Sequence, residues 1–348
     1  MDNFNIIRIL FLATMATIVA ISWTPLLTHF LYKHKLGKSI RNTGSTPVFS
    51  RMHADKKGTP TMGGLIIWVT ALVLALLFFY LAKWTNIEFF EQMNFLTRSQ
   101  TLLPLGCLVA AAIVGLFDDI LDVRSNGKGG LRMKHRIYIY TLIALVGALW
   151  FYFKLDWDLL HVPFMGNYQI GWWYIPIFIF IIVATAFSVN EIDGLDGLSG
   201  GTLLAAFASY GVIAFMQGRY DLAAFCGVII GGLIAFLWFN IKPARFYMGD
   251  TGAMSLGVTL GIIAMLTNQA LLLPIIGLLF VVESLSVILQ WISKKLRGGK
   301  KIFLSSPIHH HFEAAGWPEY KIVMRFWLIS CITAAIGITI FLLDSYKF

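Results

Sequence analysis

Ten stretches dense in apolar residues recur along the chain, divided by short polar segments. They cover residues 6–31, 63–81, 102–117, 137–153, 172–189, 198–216, 222–239, 253–266, 271–292 and 323–343. Most approach the roughly 20 residues a helix needs to cross a bilayer. In hydrocarbon, backbone N–H and C=O groups must pair internally, so each stretch is predicted to be a helix. The eighth is short, and only Thr267, Asn268 and Gln269 part it from the ninth. Residues 6–31 outrun a signal-peptide core and lack a small-residue cleavage site, so that segment is expected to be retained. The expectation is an all-α, polytopic membrane protein, a single transmembrane domain over residues 1–348.

Composition agrees: 58% of the 348 residues are hydrophobic and only 13% charged, whereas a soluble domain carries about twice that charged fraction. The net charge of +9 would raise nucleic acid as a partner for a soluble protein. Here topology and an anionic substrate explain it first, and no nucleic-acid partner is expected. Twenty of the 27 Lys and Arg residues fall on one set of alternate loops. That bias puts those loops in the cytoplasm and both termini in the periplasm. Cys107, Cys226 and Cys331 lie inside apolar stretches without metal-ligand spacing and are read as packing residues.

The polar clusters all fall at the basic end. Asp118 and Asp119 close the third stretch, and adjacent carboxylates call for a cation or a metal, although a solvated helix end would also account for them. Asn190, Asp193 and Asp196 join the fifth and sixth, the two aspartates three apart as on one helical face. Asn240 and Asp250 flank the loop before the eighth. In Met248-Gly-Asp250-Thr-Gly252 a carboxylate opens a helix between glycines, a setting for a metal-bridged phosphate or for a plain cap. His309, His310 and His311 follow Pro307. Three consecutive histidines cannot all face one metal from a regular helix, so imidazoles facing phosphate are the preferred reading. Lys56 and Lys57 precede Gly58-Thr-Pro-Thr61-Met-Gly-Gly64, and Lys134 and Arg136 stand at the mouth of the fourth stretch. Hard oxygen donors without cysteine imply Mg²⁺, and with it phosphoryl transfer. A cation-coupled transporter is disfavoured, because its carboxylates would sit near the midplane.

These strings, in this order, resemble the phospho-N-acetylmuramoyl-pentapeptide transferase family over nearly the whole chain. The aspartate motifs are shared by polyprenyl-phosphate sugar-1-phosphate transferases at large. Pro307-Ile-His-His-His-Phe-Glu313 marks this branch against the one using UDP-N-acetylglucosamine. The family's usual Leu-Thr after the motif Asn is replaced by Glu191-Ile192. The resemblance implies ten helices, a homodimer and Mg²⁺ dependence. It implies transfer of phospho-N-acetylmuramoyl-pentapeptide from its UDP derivative to undecaprenyl phosphate, at the cytoplasmic face of a bacterial inner membrane. It also implies that Asp250 holds Mg²⁺ with Asp118 and Asp119 beside it, Asp118 acting as base or, in an older reading of the family, an aspartate acting as covalent nucleophile. Lys56, Asn190 and Asp193 would contact the uridine diphosphate and Tyr247 would stack on uracil. Gln290 and His310 would lie near nucleoside or sugar. Thr61, Lys134, Asp196 and Asn240 complete the expected substrate contacts, and His309 and His311 the catalytic set.

Overall fold

The structure, a computed structural model, describes residues 2–37, 58–125 and 130–346. Its helices are α1 (Asp2–Lys33), α2 (Leu65–Thr85), the short α3 (Glu88–Met93), α4 (Leu102–Arg124), α5 (Met133–Lys154), α6 (Tyr174–Ile192), α7 (Leu198–Met216), α8 (Tyr220–Asn240), α9 (Gly249–Leu266), α10 (Leu273–Ile276), α11 (Leu278–Leu296), α12 (Ile308–Ala314) and α13 (Glu319–Ser345). Nine helices among the described residues are long and apolar enough to cross a membrane, and a tenth span results if α10 and α11 are taken together. The chain is therefore an all-helical, multi-span membrane protein. The strands among the described residues form an antiparallel hairpin, β1 (Leu159–Val162) with β2 (Gly166–Gln169).

The short eighth stretch is the hub. All 18 residues of α9 are buried, and α9 packs against α4, α6, α7 and α2. The close crossings depend on small residues. A Cβ at Gly115 of α4 would meet the Asp250 carbonyl and stand 2.7 Å from Thr251 Cα, and a Cβ at Gly64 would collide with Gly252 backbone atoms. These contacts draw the start of α2 and the middle of α4 onto the first turn of α9.

Three expectations need correction. The ninth stretch is not one straight helix: α10 and α11 meet at 81°. Gly277 ends the first piece, its N–H bonding back to the Leu273 carbonyl at 2.8 Å, and its own carbonyl starts the next. Next, Asp118 and Asp119 do not close the third helix, because α4 runs on to Arg124. Their burial against α9 lets the helix continue past them. Finally, Asp193 and Asp196 share no helical face. The chain leaves α6 at Ile192 and turns through Gly197, whose φ of +81° breaks any helix there.

Packing polarity fits a bilayer. On α11, Glu283, Ser286, Gln290 and Ser293 are buried while Leu285, Leu289, Trp291 and Leu296 are exposed. A water-soluble helix would reverse that arrangement. Polar groups that cannot face lipid turn inward, toward the end of the bundle that gathers the sequence motifs.

Candidate active site

Four helices deliver one cluster. Asp118 on α4, Asn190 on α6 and Asp250 on α9 converge on the guanidinium of Arg136 in the first turn of α5. Arg136 Nη2 donates to Asp250 Oδ2 at 2.7 Å, and Nη1 donates to Asp250 Oδ1 at 3.1 Å and to Asn190 Oδ1 at 3.0 Å. Nε stands 2.8 Å from Asp118 Oδ2, but without hydrogen-bond alignment, so that buried oxygen accepts no hydrogen bond. Asn190 Nδ2 donates to Asp250 Oδ1 at 2.6 Å. Asp118 and Asp250 are 0% and 6% exposed. Two carboxylates share one monovalent cation, which leaves the pocket anionic.

Asp119 faces the other way. Its carboxylate accepts from the Asp250 and Thr251 N–H groups at 3.1 and 3.0 Å and from the Thr61 hydroxyl at 3.1 Å. It thus caps α9 from a neighbouring helix, taking up donors that a helix N-terminus leaves free. Gly249 is required at that turn, with φ +72° and no room for a Cβ beside Thr61 Oγ1 and Asp119 Oδ2.

The loop after α6 carries the cluster toward the histidines. Ser199 Oγ donates to Asp193 Oδ1 at 2.6 Å. Asp196 accepts from the Ala244 N–H at 3.2 Å, and its own N–H donates to Glu319 at 2.9 Å. Asn240 accepts from the Gly197 N–H at 2.9 Å and donates to the Phe246 carbonyl at 2.8 Å. Asp196 and Asn240 therefore fasten the loops at 193–197 and 241–248. Half-buried Tyr247 is held through its backbone, which bonds to Pro60 and Gly63. Gln290 accepts from the Ile302 and Phe303 N–H groups and donates to the Phe303 carbonyl, so it pins the segment leading to α12.

On the short helix α12 the rings of His309 and His310 stay together, their centroids 4.1 Å apart, and His311 stands off from them. His309 is fully buried with Nδ1 3.0 Å from Glu283. His310 Nδ1 is 2.7 Å from Glu313. His311 turns away and accepts from the Leu304 N–H at 3.2 Å. The imidazoles of His309 and His310 lie against Gly194, where a Cβ would come within 3.2 Å of His310 Nε2 and nearer still to His309 Nε2.

Lys134 is exposed and stands apart from this cluster; Lys56 lies outside the described residues. Arg136, not Lys134, is the basic residue at the centre. Its sequence signal is periodic: the buried face of α5 carries Tyr140, Ala144 and Ala148, and Arg136 lies one step of four before Tyr140 on that stripe. Nothing in the sequence pairs Glu283 with His309. Among the described residues, no group of three or more His, Cys, Asp or Glu side chains is arranged to hold a metal ion.

The sequence has relatives. Residues 101–268 match the family described as glycosyl transferase family 4, and residues 56–67 match the phospho-N-acetylmuramoyl-pentapeptide-transferase signature 1. A phospho-N-acetylmuramoyl-pentapeptide-transferase of Chloroflexus aggregans is 39% identical over 350 residues, covering 97% of this chain and 90% of the relative. One from Listeria monocytogenes is 37% identical over 327 residues, covering 94% of this chain and 96% of the relative. With likeness along nearly its full length and the motif carboxylates gathered at one end of a membrane bundle, the chain belongs to the phospho-N-acetylmuramoyl-pentapeptide transferase family.

Proposed function

We propose that this protein transfers phospho-N-acetylmuramoyl-pentapeptide from its UDP derivative to undecaprenyl phosphate, giving lipid I and UMP. One observation carries the chemistry: carboxylates from separate helices, Asp118 and Asp250, converge on one cation at a helix mouth. An oxygen of the lipid phosphate attacks the β-phosphorus of the nucleotide. The bond from that phosphorus to the bridging oxygen breaks, and UMP departs. Asp118 is the base that takes the proton from the lipid phosphate, and its buried Oδ2, free of hydrogen bonds, is the atom that receives it.

The donor set suits Mg²⁺. Asp118, Asp250 and Asn190 offer hard oxygens around one point, and the ion ordinarily takes one or two carboxylates and completes its shell with water and substrate phosphate. Bound there, Mg²⁺ would neutralise charge on the diphosphate during transfer. Asp250 would be its principal ligand with Asp118 beside it, whereas Asp119 accepts from the N–H groups of α9. Asn190, Asp193 and Lys56 contact the uridine diphosphate, Tyr247 stacks on uracil, and His309 and His310 lie beyond Gly194 near the sugar phosphate. The protein works as a homodimer in the bacterial inner membrane, with this end facing the cytoplasm.

The test supplies purified protein and undecaprenyl phosphate with UDP-N-acetylmuramoyl-pentapeptide or UDP-N-acetylglucosamine. UMP and a lipid-linked product are expected only from the first. Product from the glucosamine compound alone would move the protein to the neighbouring branch of transferases. Chelation by EDTA is expected to abolish turnover and Mg²⁺ to restore it; unchanged turnover would remove the metal.

A further inference from the structure

Glu283 lies in the second turn of α11, inside an apolar span, and is 0% exposed. An isolated carboxylate there would be costly. Its ionisable partner is His309, whose ring is 0% exposed too and whose Nδ1 stands 3.0 Å from Oε2. The next residue, Ser284, donates to Ser188 of α6 at 2.6 Å, which fixes α11 against α6 at this level. The far nitrogen of the His309 ring, Nε2, lies against Gly194, and Nε2 of His310 borders the same spot. Nδ1 of His310 faces Glu313 at 2.7 Å. Two neighbouring imidazoles thus turn Nδ1 toward a glutamate and Nε2 toward the loop that carries Asp193.

Electroneutrality decides where the hydrogens sit. A carboxylate beside a neutral ring would leave a net negative charge buried. The pair is neutral in two forms: a carboxylate with an imidazolium, or a carboxylic acid donating to a bare Nδ1. Nε2 carries a hydrogen in both. Glu191, at the end of α6, interacts with the same ring, with Glu283 and with Arg136. Arg136 already serves Asp118 and Asp250, so carboxylates outnumber fixed cations around His309. We infer that Glu283 is a positioning residue that fixes His309 as a hydrogen-bond donor through Nε2, aimed at the loop where the substrate's phosphate is held. A phosphate oxygen accepts from such an N–H, and a bare nitrogen would repel it. This rests on the proposed transfer and explains why an acid lies inside the span.

The experiment reads the hydrogen directly. Full-length protein carrying ¹⁵N-labelled histidine is reconstituted in lipid, and His309 is assigned by the signal lost in His309→Gln. The wild type is expected to show a protonated Nε2, and Glu283→Met a mixture of ring tautomers. Affinity for UDP-N-acetylmuramoyl-pentapeptide, measured without acceptor lipid, should fall about tenfold in Glu283→Met, the scale of one hydrogen bond to a charged group. Glu283→Gln should recover much of it, because its amide donates to Nδ1 and leaves the hydrogen on Nε2. In a His309→Gln background, Glu283→Met should add less than about a twofold further loss, as residues acting through one another do. Full, independent losses in the double variant would overturn the positioning role. So would a Glu283→Met protein whose unfolding midpoint drops while its affinity stays at the wild-type value, the mark of a packing role alone. A bare Nε2 in the wild type would overturn the inference whether or not the variants fold. Absence of a lipid-linked product from this nucleotide would instead sink the transfer reading and leave the assignment of the hydrogen standing.

Discussion

At the end of the bundle away from the site, Arg8 of α1 meets Asp221 of α8 at 2.8 Å and donates to the Asn94 carbonyl at 2.7 Å. Asp344 of α13 receives the Phe164 N–H of the hairpin at 2.7 Å and faces His161. There, Asp221 and Asp344 each have their own cationic or polar partner, and the pairs tie helix ends together. At the site end, Asp118 and Asp250 divide a single arginine, and both oxygens of buried Glu283 lack a hydrogen bond, as do both ring nitrogens of His309. A closed pair serves stability, whereas a shared and incompletely satisfied set can take up a ligand. Stability and function are thus separated along the same helices.

Substitution at the shared carboxylates should give the largest effect. Asp250→Ala and Asp118→Asn should each lower kcat about 10³-fold or more, as removal of charge stabilisation in an enclosed site does. Both should keep their thermal unfolding midpoint in detergent within a few degrees. Turnover near that of the wild type in either would erase the distinction between the two ends.

Asp119 sharpens the contrast, because it sits beside Asp118 yet behaves like a residue of the far end. It is 1% exposed and its carboxylate is spent on the N–H groups of α9. Asp119→Ala should cost roughly 1–3 kcal/mol in stability, the scale for losing a cap and charge-assisted hydrogen bonds. Activity should fall with it because Asp250 loses its footing. Asp119→Asn retains an acceptor and should recover part of both. A metal ligand would behave otherwise: Asn would lose activity as fully as Ala, with no loss of stability.

Arg8→Leu probes the far end. It leaves Asp221 without its cation, and removal of one member of a fully buried pair costs about 3–5 kcal/mol. Asp221 retains 21% side-chain exposure, so solvent reduces the expected loss to about 1–2 kcal/mol. The unfolding midpoint should drop while kcat and KM stay at their wild-type values. A change in KM for the nucleotide would show that the two ends are coupled.

How much of this could be read from the residues varies with the kind of signal. Apolar runs of bilayer length gave the helices directly, because lipid allows little else. Their ends were harder. The buried Asp118-Asp119 pair looked like a terminus, since nothing local reveals that α9 lies against it. The bend at Gly277 was hidden because apolar residues continue on both sides. At the site, the sequence presented the aspartates as a set, but Asp118, Asp119 and Asp250 divide their tasks through partners on other helices, from Arg136 for Asp118 to the Thr251 N–H for Asp119, 132 residues along the chain. The histidines divide for a similar reason: α12 sets His309 and His310 side by side against Gly194 and turns His311 toward the Leu304 N–H.

Lys134 and Arg136 provide the smallest and most selective comparison, since both cations belong to the first turn of α5. Two positions along a helix is about 200° of rotation, so Arg136 points into the bundle while Lys134 remains in solvent. An exposed lysine at the mouth of an anion-binding site raises the local concentration of substrate without touching the reacting atoms. Lys134→Ala should therefore raise KM for the nucleotide roughly two- to fivefold at low salt and leave kcat unchanged, as loss of uniform binding does. The difference should fade as ionic strength rises past about 0.15 M, where the screening length falls to about 8 Å. A fall in kcat that persists at high salt would place Lys134 inside the reacting assembly and remove the inside–outside division of this turn.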